Sequence, residues 1–233
     1  NTFAEQSKYT KAKVSAMQKQ LADDADGFWR EQAARLTWSK PFSVVKNVSF
    51  HKDDFRIKWF EDGELNVAVN CLDRHLPEHA EKIAIIWESD DPEIPSQTIS
   101  YQALHDRVCQ LANALENLGI GKGDRVTIYL PMIPEAAISM LACARIGAVH
   151  SVVFAGFGPA ALNMRIQDAS AKVVITADSS VRRGKTIPLK SIVEEALINA
   201  PSVEHVIVLR RQDPPVDLRP GLELDFNEIM ENA

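Results

Sequence analysis

The chain has 233 residues, of which 45% are hydrophobic and 25% are charged, and its formal net charge is −6 at pH 7. This composition is typical of a folded globular protein and excludes a largely disordered one, while the acidic balance argues against a nucleic-acid partner. Residues 1–8 contain no apolar signal segment, and no later run reaches the length of a membrane span. We therefore expect a protein that is neither exported nor embedded in a membrane.

Residues 1–80 predict a helical and irregular extension that packs on a core. Apolar residues at helical spacing indicate one helix over Val14–Leu21 and a second over Phe28–Leu36, with Asp26 as the cap of the second helix. A further helix is expected over Val67–His75.

From residue 81 onward the pattern is that of an α/β domain, residues 81–233. Two short apolar runs, Ile83–Trp87 and Gln97–Ile99, predict a hairpin, and the apolar stripe of residues 101–118 predicts a long helix. Strands then alternate with helices and are apolar on both faces, which predicts a mostly parallel sheet flanked by helices. The expected strands are 125–130, 148–154, 172–177 and 203–209, and the expected helices are 136–146, 159–169 and 192–200.

The topology of such a sheet indicates where a ligand would bind. Right-handed crossovers place the loops that follow parallel strands along one edge of the sheet, where ligands of open α/β sheets bind. The loops after Leu130, Phe154 and Ala177 are therefore the candidate site. His150, inside one of the predicted strands, is interpreted as a core histidine and not as a catalytic base.

The segment Ser179–Lys185 concentrates positive charge directly after a predicted strand. It contains Arg182, Arg183 and Lys185 together with Gly184. Such a loop can meet a phosphate group with side-chain charge and with backbone amides. The alternative is a solvated basic loop without a ligand, which is the usual role of a charge run.

The segment Phe154–Gly158 places small residues between aromatic ones after another strand. A planar ring could approach the backbone there and stack. The alternative is a strand-to-helix turn whose phenylalanines belong to the core.

Complete catalytic motifs are absent from the sequence. It contains no GxxxxGK[ST], GxGxxG, GxSxG or HExxH pattern. His75 and His79 have the spacing of metal ligands on a helix, but Pro77 between them breaks such a helix.

The cysteines Cys71, Cys109 and Cys143 lie in apolar helical patterns without CxxC spacing, which predicts buried reduced thiols in a cytoplasmic protein. We predict neither a catalytic residue nor a metal site in this chain.

Three stretches of the sequence carry a family resemblance: Lys58–Asn66 (KWFEDGELN), Ile99–Leu104 (ISYQAL) and the block Leu130–Phe157. Together they resemble the AMP-forming acetate–CoA ligases, or acetyl-CoA synthetases, of the adenylate-forming superfamily, over essentially the whole chain. The resemblance implies that the chain is the amino-terminal part of the large domain of such an enzyme. It also implies a two-step reaction, in which acetate attacks the α-phosphate of MgATP and the CoA thiol then takes the acetyl group.

The resemblance further implies a coenzyme A site within this chain. The positions that match Phe154, Ala155 and Gly156 lie along the adenine of CoA, and those that match Arg182 and Lys185 meet its 3′-phosphate. Lys185 stands where many members of the family have arginine, and a lysine replaces the bidentate fork by a point charge.

Other parts of the family pattern belong after residue 233: the ATP loop, the acyl pocket and the adenylation lysine. The ATP and Mg²⁺ sites are therefore expected outside this chain, and the chain alone is expected to be inactive. The absence of an initiator methionine also predicts a piece of a longer protein. The expected partners are acetate, ATP and CoA, and the open sheet edge of a truncated piece could pair with a second copy.

Two alternatives to this function stay open. One is another short-chain acyl-CoA synthetase, for example one for propionate, because the acyl pocket is not in this chain. The other is a non-catalytic α/β binding module that retains the fold alone.

Overall fold

The computed structural model describes residues 6–89, 93–212 and 214–233. The chain divides into two compact units between residues 66 and 67, whereas the sequence placed the domain boundary between residues 80 and 81. The short helices that follow residue 66 thus belong to the larger unit. Within the described ranges, no helix is both long and apolar enough to cross a bilayer.

The described residues of the smaller unit include a hairpin and, before it, a pair of helices, and the helix Ala25–Ala33 has a different cap from the expected one. The Asp24 carboxylate accepts a hydrogen bond from the Gly27 N–H at 2.9 Å, whereas Asp26 lies within the first helical turn. Asp24 can cap because its backbone is still non-helical, which a cap requires. The elements are α1 (Lys11–Asp23), α2 (Ala25–Ala33) and the antiparallel strands β1 (Lys46–Ser49) and β2 (Arg56–Trp59).

The larger unit contains the sheet and the helices that cover it. Its helices are α3 (Val67–Cys71), α4 (Leu76–His79), α5 (Tyr101–Asn117), α6 (Pro134–Ile146), α7 (Pro159–Ala169), α8 (Leu189–Ala196) and α9 (Phe226–Glu231). Its strands are β3 (Ile83–Trp87), β4 (Gln97–Ser100), β5 (Arg125–Tyr129), β6 (Val149–Val152), β7 (Val173–Ala177), β8 (Ser180–Arg182), β9 (Lys185–Ile187), β10 (His205–Leu209) and β11 (Glu223–Asp225). Short 3₁₀ turns follow α3 and α8, at Asp73–His75 and Leu197–Asn199.

Five parallel strands form the central sheet in the order β11-β10-β7-β5-β6. The chain moves from β5 to β6 in one direction and from β6 through β7 to β10 in the other. Right-handed crossovers therefore place α6 on one face and α7 and α8 on the opposite face. The contacts agree, because α6 packs with α5 while α7 packs with α8. The predicted mostly parallel sheet with flanking helices is confirmed.

Local sequence signals explain why the crossover helices begin and end where they do. Pro134 and Pro159 lie in the first turns of α6 and α7, where the missing proline N–H has no helical partner to lose. Gly147 follows α6 with a φ of 75°, a left-handed conformation that favours glycine. These two helices carry the chain back so that each following strand starts at the same edge of the sheet.

Strand β6 departs from the expectation that every strand is apolar on both faces. It is an edge strand with β5 as its neighbour, and Val149 and Val152 are more than half exposed. His150 is exposed as well, so its interpretation as a core histidine is wrong. The sequence pattern of β6 matches that of the buried central strands, and strand order cannot be read from such a pattern.

The cysteines occupy three different environments. Cys143 is buried, Cys109 is partly buried and Cys71 is exposed. Burial raises the pKa of the Cys143 thiol to about 12, which keeps it protonated. The expected burial is therefore wrong for Cys71, which ends the short helix α3.

Candidate functional site

A cavity of about 470 Å³ opens at the carboxyl-terminal edge of the sheet. Segments that follow β5, β6, β7 and β10 contribute to it, which is where the sequence placed the candidate site. The walls are mainly apolar and aromatic, with Arg182 and Arg211 as the cations and Glu88 as an acid. The lining residues are Trp87, Glu88, Ser89, Ile94, Pro131, Met132, Ile133, Phe154, Ala155, Gly156, Ser180, Val181, Arg182, Ile187 and Arg211.

The predicted basic loop is a β-hairpin. Strands β8 and β9 pair in antiparallel register, with Arg182 directly opposite Lys185. The two turn residues, Arg183 and Gly184, have φ values of 52° and 70°. A two-residue turn with positive φ at both positions matches the right-handed twist of a hairpin. The segment predicted as a basic loop forms this hairpin because the turn lets the flanking residues pair.

The hairpin changes which groups an anion could meet. In an antiparallel ladder of two strands, alternate residues bond across the strands, so part of the loop backbone is engaged in pairing. Residues opposite each other have Cβ atoms about 4.5–5.5 Å apart, which places the Arg182 and Lys185 side chains on one face. Both residues are exposed. The hairpin therefore presents two adjacent positive charges, those of the Arg182 and Lys185 side chains.

Arg182 also connects the hairpin to the segment after β6. Its guanidinium lies over the Phe154 ring, 5.7 Å from the ring centroid, a cation–π arrangement. Gly156 lets the ring lie against the backbone, because a Cβ there would come within 2.3 Å of Phe154 Cε1. Phe154, Ala155, Gly156 and Arg182 thus line one cavity. Lys185 is not in the lining and is instead the cross-strand partner of Arg182.

Tyr129, which the sequence reasoning missed, holds the segment after β6 in place. The residue is fully buried at the end of β5. Its hydroxyl donates a hydrogen bond to the Phe157 carbonyl at 2.6 Å and lies 3.3 Å from the Ala155 carbonyl. Burial raises the pKa of Tyr129, so the hydroxyl remains a neutral donor. A tyrosine at the end of a buried strand, just before a ligand loop, is the signal that could have identified it.

Asp178, also missed, ties the segment after β7 to the segment after β10. Its side chain is buried, and Oδ2 accepts hydrogen bonds from the backbone N–H groups of Arg211 at 2.8 Å and Gln212 at 2.9 Å. Oδ1 accepts a hydrogen bond from the Ser179 hydroxyl at 3.2 Å. The carboxylate thereby fixes the backbone from which the Arg211 side chain enters the cavity wall.

Cations of the larger unit fall into two groups. One group forms ion pairs with carboxylates: Arg107, Arg145, Lys172, Lys190, Arg210 and Arg219. Arg182, Lys185 and Arg211 belong to the other group, because no carboxylate of the described residues pairs with them. Arg182, Lys185 and Arg211 come together at the cavity and the hairpin beside it, whereas Lys122 and Arg165, which also lack an ion pair within the described ranges, lie outside the cavity lining. Such a site can bind an anionic ligand that also has a planar ring to lie against Phe154.

Two family models match the chain, and together they cover most of it. The model described as "AMP-binding enzyme" matches residues 72–227, which include the whole cavity wall. The model described as "Acetyl-coenzyme A synthetase N-terminus" matches residues 14–71.

Individual relatives point to the same kind of protein. The chain is 51% identical over 224 residues to the acetyl-coenzyme A synthetase of Novosphingobium aromaticivorans, covering 96% of this chain and 34% of that protein. It is 54% identical over 217 residues to the acetyl-coenzyme A synthetase of Salmonella typhi, covering 92% of this chain and 33% of that protein. The chain thus spans about a third of the length of the curated relatives it matches.

A solved structure supports the fold. The acetoacetyl-CoA synthetase from Streptomyces lividans superposes with a TM-score of 0.81 at 25% identity, over 91% of this chain and 32% of that one. The likeness therefore covers both described units of this chain, while most of the solved protein has no counterpart in it.

Proposed function

The chain belongs to the AMP-binding enzyme family, and from this premise we propose that the complete protein is an AMP-forming acetate–CoA ligase. An acetate oxygen attacks the α-phosphorus of ATP, which forms acetyl-adenylate and releases pyrophosphate. The CoA sulfur then attacks the acetyl carbon, and AMP leaves. The acetyl-coenzyme A synthetases that resemble the chain at 51–54% identity support this choice of reaction.

We propose that this part of the protein binds the nucleotide end of CoA. Phe154, Ala155 and Gly156 accept the adenine, while Arg182 and Lys185 neutralise the 3′-phosphate. The observation that carries this proposal is the Arg182 guanidinium over the exposed Phe154 ring at the carboxyl edge of the sheet, with Lys185 opposite it in the hairpin. A ring surface and two unpaired cations are what a phosphorylated nucleoside needs.

The chemistry of adenylation is assigned to the rest of the protein. We propose that the ATP and Mg²⁺ sites lie outside this chain, with Mg²⁺ serving to neutralise phosphate charge when it is bound. Within residues 6–89, 93–212 and 214–233, no three His, Cys, Asp or Glu side chains come together as metal ligands. The residues of this chain therefore act in the second step, where they hold the nucleotide end of CoA.

The reaction is tested with the complete protein, ATP, acetate and CoA. We expect AMP and pyrophosphate to form in equal amounts, and only when acetate is present. A higher kcat/KM for propionate than for acetate would favour the other short-chain ligase. Absence of AMP formation with either acid would favour the non-catalytic binding module.

The 233-residue chain by itself tests the proposal that the adenylation sites lie outside it. We expect it to release no pyrophosphate from ATP and acetate, because the adenylation machinery is assigned elsewhere. Pyrophosphate release above the level of a buffer control would contradict the proposal.

The location of the CoA site is tested by hydrogen–deuterium exchange of the complete protein with and without CoA. We expect slower exchange for the segment after β6 and for the β8–β9 hairpin. Protection of other segments alone would contradict the assignment. A matched sample with AMP separates protection by the CoA nucleotide from protection by an adenylate bound elsewhere.

Three further expectations stay predictions. They are a cytoplasmic location, the packing of the amino-terminal extension on the core, and self-association of the isolated chain through its open sheet edge. Fluorescence microscopy of the tagged complete protein and sedimentation of the isolated chain would test the first and the last.

A further inference from the structure

Arg211 is a second point of positive charge in the cavity, separate from the hairpin. It follows β10 and lines the cavity together with Arg182. One guanidinium N–H donates to the Ser179 carbonyl at 3.3 Å, and no carboxylate of the described residues pairs with the group. A guanidinium has five N–H donors in a planar fork, so most of them stay available to a ligand.

The backbone of Arg211 is held firmly, although its charge is not neutralised. Asp178 is buried and directs its carboxylate oxygens to the backbone N–H groups of Arg211 and Gln212 and to the Ser179 hydroxyl. The acid thus acts on the backbone, and Asp178 is a positioning residue for Arg211. A fixed backbone with an unpaired guanidinium reduces the conformational cost of binding an anion.

The two points of charge are separated along the chain that joins them. Arg211 contacts the Ser179 carbonyl at the base of the hairpin, whereas Arg182 lies next to its turn, three residues further along the chain. CoA also has two separate anionic groups, since its 3′-phosphate and 5′-diphosphate leave one ribose at different positions. With the 3′-phosphate at the hairpin, the diphosphate is the second anion available.

We propose that Arg211 binds the 5′-diphosphate of CoA. The inference rests on the proposed function, because it takes the 3′-phosphate at Arg182 and Lys185 as its starting point. It predicts that the two arginines respond differently to ligands that lack one anionic group or both.

The experiment compares three ligands on the complete protein by calorimetry: CoA, dephospho-CoA without the 3′-phosphate, and pantetheine without any phosphate. Arg182→Ala should lower the affinity for CoA by about tenfold and leave dephospho-CoA unchanged. Arg211→Ala should lower the affinity for both nucleotides by about the same tenfold factor and leave pantetheine unchanged. Lys122→Ala, which removes an exposed cation outside the cavity, is the control for net charge.

A second variant keeps the test independent of folding. Arg211→Lys retains a charge without the fork, so its affinity for CoA and dephospho-CoA should lie between those of the parent and Arg211→Ala. Thermal unfolding of each variant should match the parent, because the Arg211 side chain is exposed.

The outcomes separate this inference from the proposed function. A parent that binds no CoA contradicts the proposed function itself. In a second outcome, the parent and Arg182→Ala behave as expected while Arg211→Ala binds CoA and dephospho-CoA within twofold of the parent. That result overturns only the role of Arg211. A loss restricted to CoA, or one that extends to pantetheine, also overturns the diphosphate assignment.

Discussion

Two clusters of cations in the larger unit have opposite surroundings. Lys190 and Arg219 surround the Glu223 carboxylate, with Lys190 Nζ 3.0 Å from Oε2 and Arg219 Nε 2.8 Å from Oε1. At the cavity and the hairpin beside it, Arg182, Lys185 and Arg211 have no carboxylate partner among the described residues. The first cluster is complete within the fold, whereas we propose that an anion from outside completes the second. On this proposal the first cluster stabilises the fold and the second binds ligand.

The unpaired cluster has a cost that the paired one lacks. Like charges directly opposite each other in a ladder destabilise it, and Arg182 and Lys185 occupy such positions. A phosphate between them would remove the repulsion. The comparison therefore predicts that changes in the paired cluster act on stability, while changes in the cavity act on ligand binding.

The largest effect is expected from breaking the paired cluster with Glu223→Ala. The Glu223 side chain is fully buried, and its loss leaves the partly exposed Glu194 as the one carboxylate that still pairs with Lys190 and Arg219 in the described part of the chain. We expect the free energy of unfolding to fall by about 3 kcal/mol. Hydrogen exchange of the β10 and β11 amides in the complete protein measures this change. Arg182→Ala is the comparison, and a loss there as large as that of Glu223→Ala would contradict the distinction between the clusters.

Low pH should weaken the paired cluster, because it protonates the Glu223 carboxylate. Burial by itself would raise the pKa of Glu223, but hydrogen bonds from the Arg219 N–H and from the Lys190 and Arg219 side chains outweigh burial and lower the pKa from its ordinary value of 4.5. A carboxylate whose pKa is lower in the folded state stabilises the fold above its unfolded pKa, and this contribution is lost as the pH falls through the folded pKa.

The stability of β10 and β11 should therefore be constant near neutral pH and decrease below about pH 4.5. Hydrogen exchange in a series from about pH 6 to about pH 3, corrected for the intrinsic pH dependence of exchange, measures it. Glu223→Gln should show a shallower decrease. If stability decreases equally in the variant and the parent, Glu223 is not the cause of the loss of stability at low pH.

Tyr129→Phe should weaken ligand binding at the cavity while leaving every cation of both clusters in place. The variant loses the hydrogen bond to the Phe157 carbonyl, which contributes about 1 kcal/mol. We expect weaker CoA binding and an unchanged rate of acetate-dependent exchange between ATP and pyrophosphate. Tyr101→Phe is the matched control, because no hydrogen bond of the Tyr101 hydroxyl is present in the described part of the chain. Equal effects of the two variants would contradict the positioning role of Tyr129.

The smallest effect is expected from giving the hairpin an internal ion pair. Lys185→Glu places a carboxylate opposite Arg182, which should stabilise the hairpin by about 0.2–1 kcal/mol. The same change should lower the affinity for CoA, because the anion site is then neutralised. Exchange of the β8–β9 amides and calorimetry with CoA measure the two effects. If the variant gains stability and keeps its affinity for CoA, Lys185 takes no part in binding CoA.

The scaffold could be predicted from the sequence because its signals are local. Proline at the start of α6 and α7 and Gly147 after α6 mark helix ends, and the apolar runs of β5 and β7 mark central strands. The same signals place the loops after the strands on one edge. Phe154 and Arg182 were accordingly expected near each other, and the structure brings them into contact.

The rest of the site depends on contacts that sequence spacing does not encode. Asp178 and Arg211 are 33 residues apart and meet because β7 and β10 are neighbours in the sheet. The β8–β9 hairpin was missed because Arg183, instead of asparagine or glycine, occupies the first turn position with a positive φ. Strand order likewise decided that β6 is an exposed edge strand.

The most direct test of the central claim is the ratio of the dissociation constants of dephospho-CoA and CoA in the complete protein. Arg182 and Lys185 together predict that the parent binds CoA about a hundredfold more tightly than dephospho-CoA, with about tenfold from each cation. They also predict that Arg182→Ala reduces this preference about tenfold. Equal affinities of the parent for the two ligands would contradict the account.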